Sequence, residues 1–180
     1  MSKDKAERQI LNKGVLKMKW FNPTPVTLED LKKMYKTLAY ANHPDRGGRT
    51  EDMQEINNEY DRLFARLKNV RRNKAGEVYT TTEEVKETPE QYRAIIDKLI
   101  HFENCLIEIC GTWIWVSGNT KVYKDILKEL KFRFSKNKAA WYYHSEPYVK
   151  RSKTRYSLDD IRTMWGSQEV ETEEQARITA

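Results

Sequence analysis

The stretch A-N-H-P-D-R-G-G, residues 41–48, decides how the first half of this chain folds. Helical patterns flank it on both sides. Proline cannot continue a helix and paired glycines weaken one, so the stretch must be a loop between two helices. Upstream, Thr27 is placed to cap a helix, with Asp30 three residues on as its capping-box partner and Val26 and Leu31 as a hydrophobic staple. Leu28, Leu31, Met34, Tyr35, Leu38 and Ala41 then share one side. Lys32, Lys33, Lys36 and Tyr40 fall within an arc of about 100° on the other, which predicts a core face and a basic face. Downstream, Glu51 and Asp52 suit the positive first turn of a helix starting near Thr50. Met53, Ile56, Tyr60, Leu63, Phe64 and Leu67 form its apolar stripe. Two amphipathic helices joined by a short loop pack antiparallel, which places His43, Pro44 and Asp45 at a solvent-facing tip. A short preceding helix within residues 9–20 is expected to cap the hairpin.

The chain has 180 residues, 38% hydrophobic and 33% charged, with 33 Lys+Arg against 27 Asp+Glu and a net charge of +6. That length holds one ordinary domain or two small ones. The charge bias permits an acidic partner or nucleic acid and demands neither. No apolar run approaches the ~18 residues of a membrane span, and the start, MSKDKAERQILNKG, lacks the apolar centre of a signal peptide. A cytoplasmic location is the expectation. Two cysteines, Cys105 and Cys110, give no disulfide framework. With His101 they lack zinc-finger spacing, so neither a metal nor another cofactor is expected.

The run LEDLKKMYKTLAYANHPDRGG followed by MQEINNEYDRL, within residues 18–67, resembles the J-domain of DnaJ-type co-chaperones. By itself, a given tripeptide arises by chance in roughly one in fifty chains of this length, so context carries the match. Tyr35 and Leu38 precede His43 by the family's spacing, and Met53, Ile56, Tyr60 and Leu63 match its third helix. The paired glycines resemble the shortened loop of some viral and phage-type J-domains. KWFNPTPV replaces the family's usual first-helix entry, and LKNVRRN stands where a Gln-Lys-Arg signature would follow.

The resemblance implies docking on a DnaK-type heat-shock chaperone and stimulation of its ATPase, in support of protein folding. The partner-binding residues would be His43, Pro44, Asp45, Lys32, Lys33, Lys36, Tyr40 and Arg46. Pro44 pre-orders the loop, and Asp45 offers a carboxylate to a partner arginine. His43 either holds the turn through its ring or faces the partner, and the lysines suit an acidic groove. A catalytic His43–Asp45 pair is disfavoured: a convex tip excludes no water and no nucleophile stands nearby. The chain reads as a non-enzyme.

The fold class expected is α+β: an all-α J-domain-like hairpin in residues 1–70, a linker over 71–88, a small α+β domain with an antiparallel sheet over 89–166, and a disordered tail over 167–180. PEQYRAIIDKLIHF reads as a helix and CLIEICGTWIWVSG as two strands about Gly111. TKVYKDILKELKF reads as a helix with Val122, Ile126, Leu127 and Leu130 as its apolar positions, and FRFS-KNK-AAWYYH as a second hairpin. SLDDIRTMWG is a short helix with Ser157 as cap and Gly166 as stop. The tryptophan-rich stretch resembles a small module found beside J-domains and helicase-like proteins of phages and mobile elements. Two roles stay open for its aromatics. Trp113, Trp115, Trp141, Tyr142 and Tyr143 are core and cross-strand pairs, or some of them stack single-stranded nucleic acid. In the second case Arg133, Lys136, Lys138, Lys150, Arg151 and Lys153 would track phosphates. Recruitment of a protein client is the competing role for this half. The alternative for the whole chain is a nucleic-acid-binding accessory protein of a phage or mobile element.

Overall fold

The computed structural model describes residues 18–73, 75–82, 86–145 and 156–166, with the backbone of 169–170. Residues 9–17 of the expected first helix, residues 74 and 83–85 of the expected linker and most of the tail lie outside these residues, as do Lys150, Arg151 and Lys153; residues 18–20, where that helix is expected to end, are irregular. The chain forms two compact units, Met1–Glu84 and Val85–Ala180.

The first unit is built on α1 (Leu28–Asn42), a single 3-10 turn (Pro44–Arg46) and α2 (Thr50–Leu67). Thr27 caps α1 as its sequence predicts: its hydroxyl accepts the Asp30 N–H at 3.2 Å and Asp30 Oδ2 accepts the Thr27 N–H at 3.3 Å. All six residues of the predicted α2 stripe are buried. Tyr60 sits at the centre, with its ring centroid 4.3 Å from Tyr35, 6.0 Å from Phe64 and 6.5 Å from Phe21. Tyr35 donates its hydroxyl to Asn57 Oδ1 at 2.9 Å, so the helices are joined by a polar clasp as well as by apolar contact.

On α1 the buried side overlaps the predicted one only at Leu28, Leu31 and Tyr35. Leu28, Leu31, Lys32, Tyr35, Lys36 and Ala39 are buried, whereas Ala41 is exposed and Met34 and Leu38 are half-buried. At 100° per residue, the buried arc is rotated by about 80° from the predicted stripe, towards the lysines.

Two irregular pieces complete this unit. Residues 19–21 lie as a strap over α2: Glu59 accepts the N–H groups of Lys19, Trp20 and Phe21 at 2.8, 3.0 and 3.3 Å. Glu55 Oε2 takes Lys19 Nζ at 2.6 Å and Trp20 Nε1 at 3.0 Å. Phe21 is thereby seated in the core. The segment expected as linker instead contains an antiparallel hairpin, β1 (Val70–Arg72) and β2 (Val78–Thr80). Arg71 and Arg72 tie it to the first turn of α1, at 3.6 Å to Glu29 and 3.0 Å to Asp30. Burial raises the Glu29 pKa, against the pull of Arg71.

In the second unit, α3 (Pro89–Leu99) starts at a Thr88–Gln91 capping box and buries Tyr92, Ile95, Ile96 and Leu99. A five-stranded antiparallel sheet follows, in the order β5-β6-β4-β3-β7. Its strands are β3 (Cys105–Cys110), β4 (Trp113–Gly118), β5 (Arg133–Ser135), β6 (Ala140–Tyr143) and β7 (Glu169–Val170). Both predicted hairpins are present. β7 lies in the segment expected as a disordered tail, paired to Ile107 and Glu108 of β3. The helix predicted over TKVYKDILKELKF shrinks to α4 (Lys124–Glu129): Leu127 is buried, Val122 and Ile126 are exposed. A C-terminal lock ends it early, as Phe132 N–H reaches Leu127 O and Lys131 N–H reaches Lys128 O, with Lys131 at φ 65°. Among the described residues no helix is long and apolar enough to cross a membrane.

Finally, α5 (Leu158–Trp165) is capped by Ser157 and Asp160 and packs Leu158 and Ile161 near Cys110, Trp115 and Ala140. Arg162 forks the buried Glu108 carboxylate with two bonds of 2.7 Å. Removing one partner of a buried pair strands the other charge, which typically costs about 3–5 kcal/mol. Arg162→Ala is therefore expected to destabilise the second unit by about 3 kcal/mol in denaturant unfolding. A loss below about 1 kcal/mol would show the fork to be solvated and dispensable.

Candidate functional site: a capped His-Pro-Asp turn

The site begins where α1 stops. Asn42 bends its side-chain amide back to Leu38 O at 2.8 Å, satisfying a terminal carbonyl. His43 leaves the helix in an extended conformation (φ −65°, ψ 136°), as the residue before a proline must. Pro44 then opens the one-turn helix, where its missing N–H costs nothing. The His43 carbonyl accepts both the Arg46 and the Gly48 N–H at 2.9 Å, and Pro44 O accepts the Gly47 N–H at 3.0 Å. Gly47 sits at φ 88°, the left-handed conformation that ends such a turn.

His43 holds the turn from the inside. Its Nδ1 accepts the Asp45 N–H at 3.2 Å, which assigns the neutral ring to the tautomer with its proton on Nε2. The Asp45 carboxylate lies 3.7 Å from the same Nδ1. With that lone pair given to an amide, the contact is not an ion pair in this state. The His43 side chain is 13% exposed, that of Asp45 61%. The His43 imidazole is thus half-buried and the Asp45 carboxylate exposed. Arg46 lies over the Tyr40 ring, 3.9 Å from its centroid, which restrains the guanidinium.

Of the eight residues expected to bind a partner, five gather here, Tyr40, His43, Pro44, Asp45 and Arg46, while Lys33 is half-buried further back on α1. The basic face is corrected at two positions. Lys32 and Lys36 are 2% and 3% exposed and belong to the buried arc of α1. Two residues that shape the turn were not among the expected site residues, Asn42 and Gly48. Their signal is faint: an amide at a helix C-terminus and the second of two glycines.

The aromatic and basic residues of the second unit do not form one platform. Strand register puts Trp113, Trp115 and Tyr142 on one face of the sheet and Trp141, Tyr143 and Phe134 on the other. Trp115 and Trp141 are only 4% and 8% exposed. Trp113 is half-buried, stacked on His144 at 4.3 Å and on Trp115 at 5.9 Å, and His144 shares a 2.9 Å hydrogen bond with Thr112. Burial, and then Glu87, push the Tyr143 hydroxyl up to about 12. Lys138 donates to Tyr156 O at 2.6 Å, while Arg133 and Lys136 are exposed. The aromatics thus serve as cross-strand and core contacts.

Trp141→Ala is expected to lower the stability of the second unit by about 3–5 kcal/mol, as large-to-small changes of buried aromatics do. An unchanged melting temperature together with weakened retention on single-stranded DNA would instead make Trp141 a stacking residue. Comparisons with protein-family models, with curated proteins and with solved structures find no match to this chain.

Proposed function

We propose that the chain is a cytoplasmic J-domain co-chaperone: it docks on a DnaK-type heat-shock chaperone and stimulates its ATPase, while the second unit recruits a protein client. In this role the chain is not itself an enzyme. The observation that carries the proposal is the exposed Asp45 carboxylate on a turn whose backbone His43 has already fixed. A pre-ordered turn loses little entropy on docking, and a carboxylate at its tip suits a forked bond from a partner arginine. Lys33 and Arg46 supply the electrostatic attraction, which acts mainly on the encounter rate and weakens with salt. Lys32 and Lys36, being buried, are not assigned that task. Among the described residues the nucleic-acid alternative keeps exposed Arg133, Phe134 and Lys136, but Trp115 and Trp141 are buried, and we favour the co-chaperone reading over it.

A hydrogen bond to a charged group contributes about 1.5–3 kcal/mol. Asp45→Asn keeps the size of the side chain and removes its charge. In steady-state ATPase assays of a DnaK-type chaperone, wild-type protein is expected to stimulate hydrolysis. Asp45→Asn should need roughly tenfold to a hundredfold more protein for the same effect. Absence of stimulation by the wild-type chain would remove the proposal.

A further inference from the structure

The second glycine of the pair occupies a place that no side chain fits. A Cβ at Gly48 would fall inside the van der Waals surfaces of the Asn42 carbonyl carbon and oxygen, and 2.8 Å from Asn42 Cα. All three atoms are backbone, at the end of α1, so no rotamer change relieves the clash. At Gly47 a Cβ would meet nothing within 4 Å, and the demand there is only conformational, at φ 88°. The two glycines thus do different jobs: Gly47 lets the chain turn, and Gly48 lets it cross the end of α1 in direct contact.

That crossing closes the loop. The Gly48 N–H donates to His43 O at 2.9 Å, alongside the Arg46 N–H on the same carbonyl. His43 in turn receives the Asp45 N–H on its ring. A side chain at 48 must lift the chain off Asn42, break the bond to His43 O and free the residue that orients Asp45. We infer that Gly48 is a positioning residue for Asp45: its contact with Asn42 sets the direction in which the carboxylate leaves the turn. The inference deepens the co-chaperone proposal and rests on it for its functional consequence, while its geometric content is independent of any partner.

The experiment compares wild type, Gly48→Ala, Asp45→Asn and the double variant, full-length, in two assays. The first is amide hydrogen exchange at Asp45 and residue 48, with melting temperature and helix content as controls. Gly48→Ala is expected to speed exchange of the Asp45 amide at least tenfold with the α1–α2 pair still folded. The second is ATPase stimulation of a DnaK-type chaperone. Gly48→Ala should cut stimulation about tenfold, and adding it to Asp45→Asn should cost nothing more, because a residue that acts through Asp45 has no effect once that charge is gone.

Unchanged Asp45 exchange overturns the assignment. So does a collapse of the melting temperature, which would make Gly48 a residue of the fold, and so does an additive loss in the double variant. Should wild type fail to stimulate while the exchange result holds, the co-chaperone proposal falls and Gly48 stands as the residue that closes the turn.

Discussion

The lone pair of His43 Nδ1 is the constraint on which the first unit's surface depends. By accepting the Asp45 amide it turns an otherwise loose helix connection into a fixed corner. One carbonyl, that of His43, collects two more amides of the same loop. The histidine thereby acts as both cap and anchor, and the neighbouring carboxylate is left to face outward. Proline supplies the remaining rigidity by restricting its own φ and the conformation of the residue before it.

Beneath the corner, packing and charge divide the labour. Tyr60, Tyr35, Phe64 and Phe21 form an aromatic centre between the two helices. A hairpin of two helices leaves that centre open at its ends, and here charged residues close it. Glu59 gathers three successive backbone amides of the strap that seats Phe21. Arg71 and Arg72 tie the small hairpin to the acidic first turn of α1. The second unit does the same with the Arg162–Glu108 fork, which holds a helix without buried residues against the sheet. A chain with one residue in three charged uses those charges where apolar side chains run out.

The parts legible in the sequence are those governed by local rules. The Thr27 and Ser157 caps, the α2 stripe and the two C-terminal hairpins follow from period, capping chemistry and turn residues. What escaped is set by contacts far apart in the chain. Glu59 meets residues 38 to 40 positions earlier, and Arg162 meets Glu108 54 positions away. No periodicity announces such partners, so the hairpin after α2 looked like a linker. The basic face of α1 was misjudged for a related reason. Helical phase orders residues around an axis, but the neighbours decide which arc is covered, and they covered Lys32 and Lys36. In the second unit, aromatic content alone left core pairing and a stacking platform both open; the register of β4 and β6 sends Trp115 and Trp141 to opposite faces.

The central claim is that Asp45 is presented, on a preset turn, to a DnaK-type chaperone. It is tested most directly by following the backbone amides of the full chain by NMR while such a chaperone is added in its ATP-bound state. The account predicts shifts concentrated at His43, Asp45 and Arg46 with the Asp45–His43 hydrogen bond kept throughout. Shifts confined to the second unit, or spread along α2 while the turn stays silent, would contradict it.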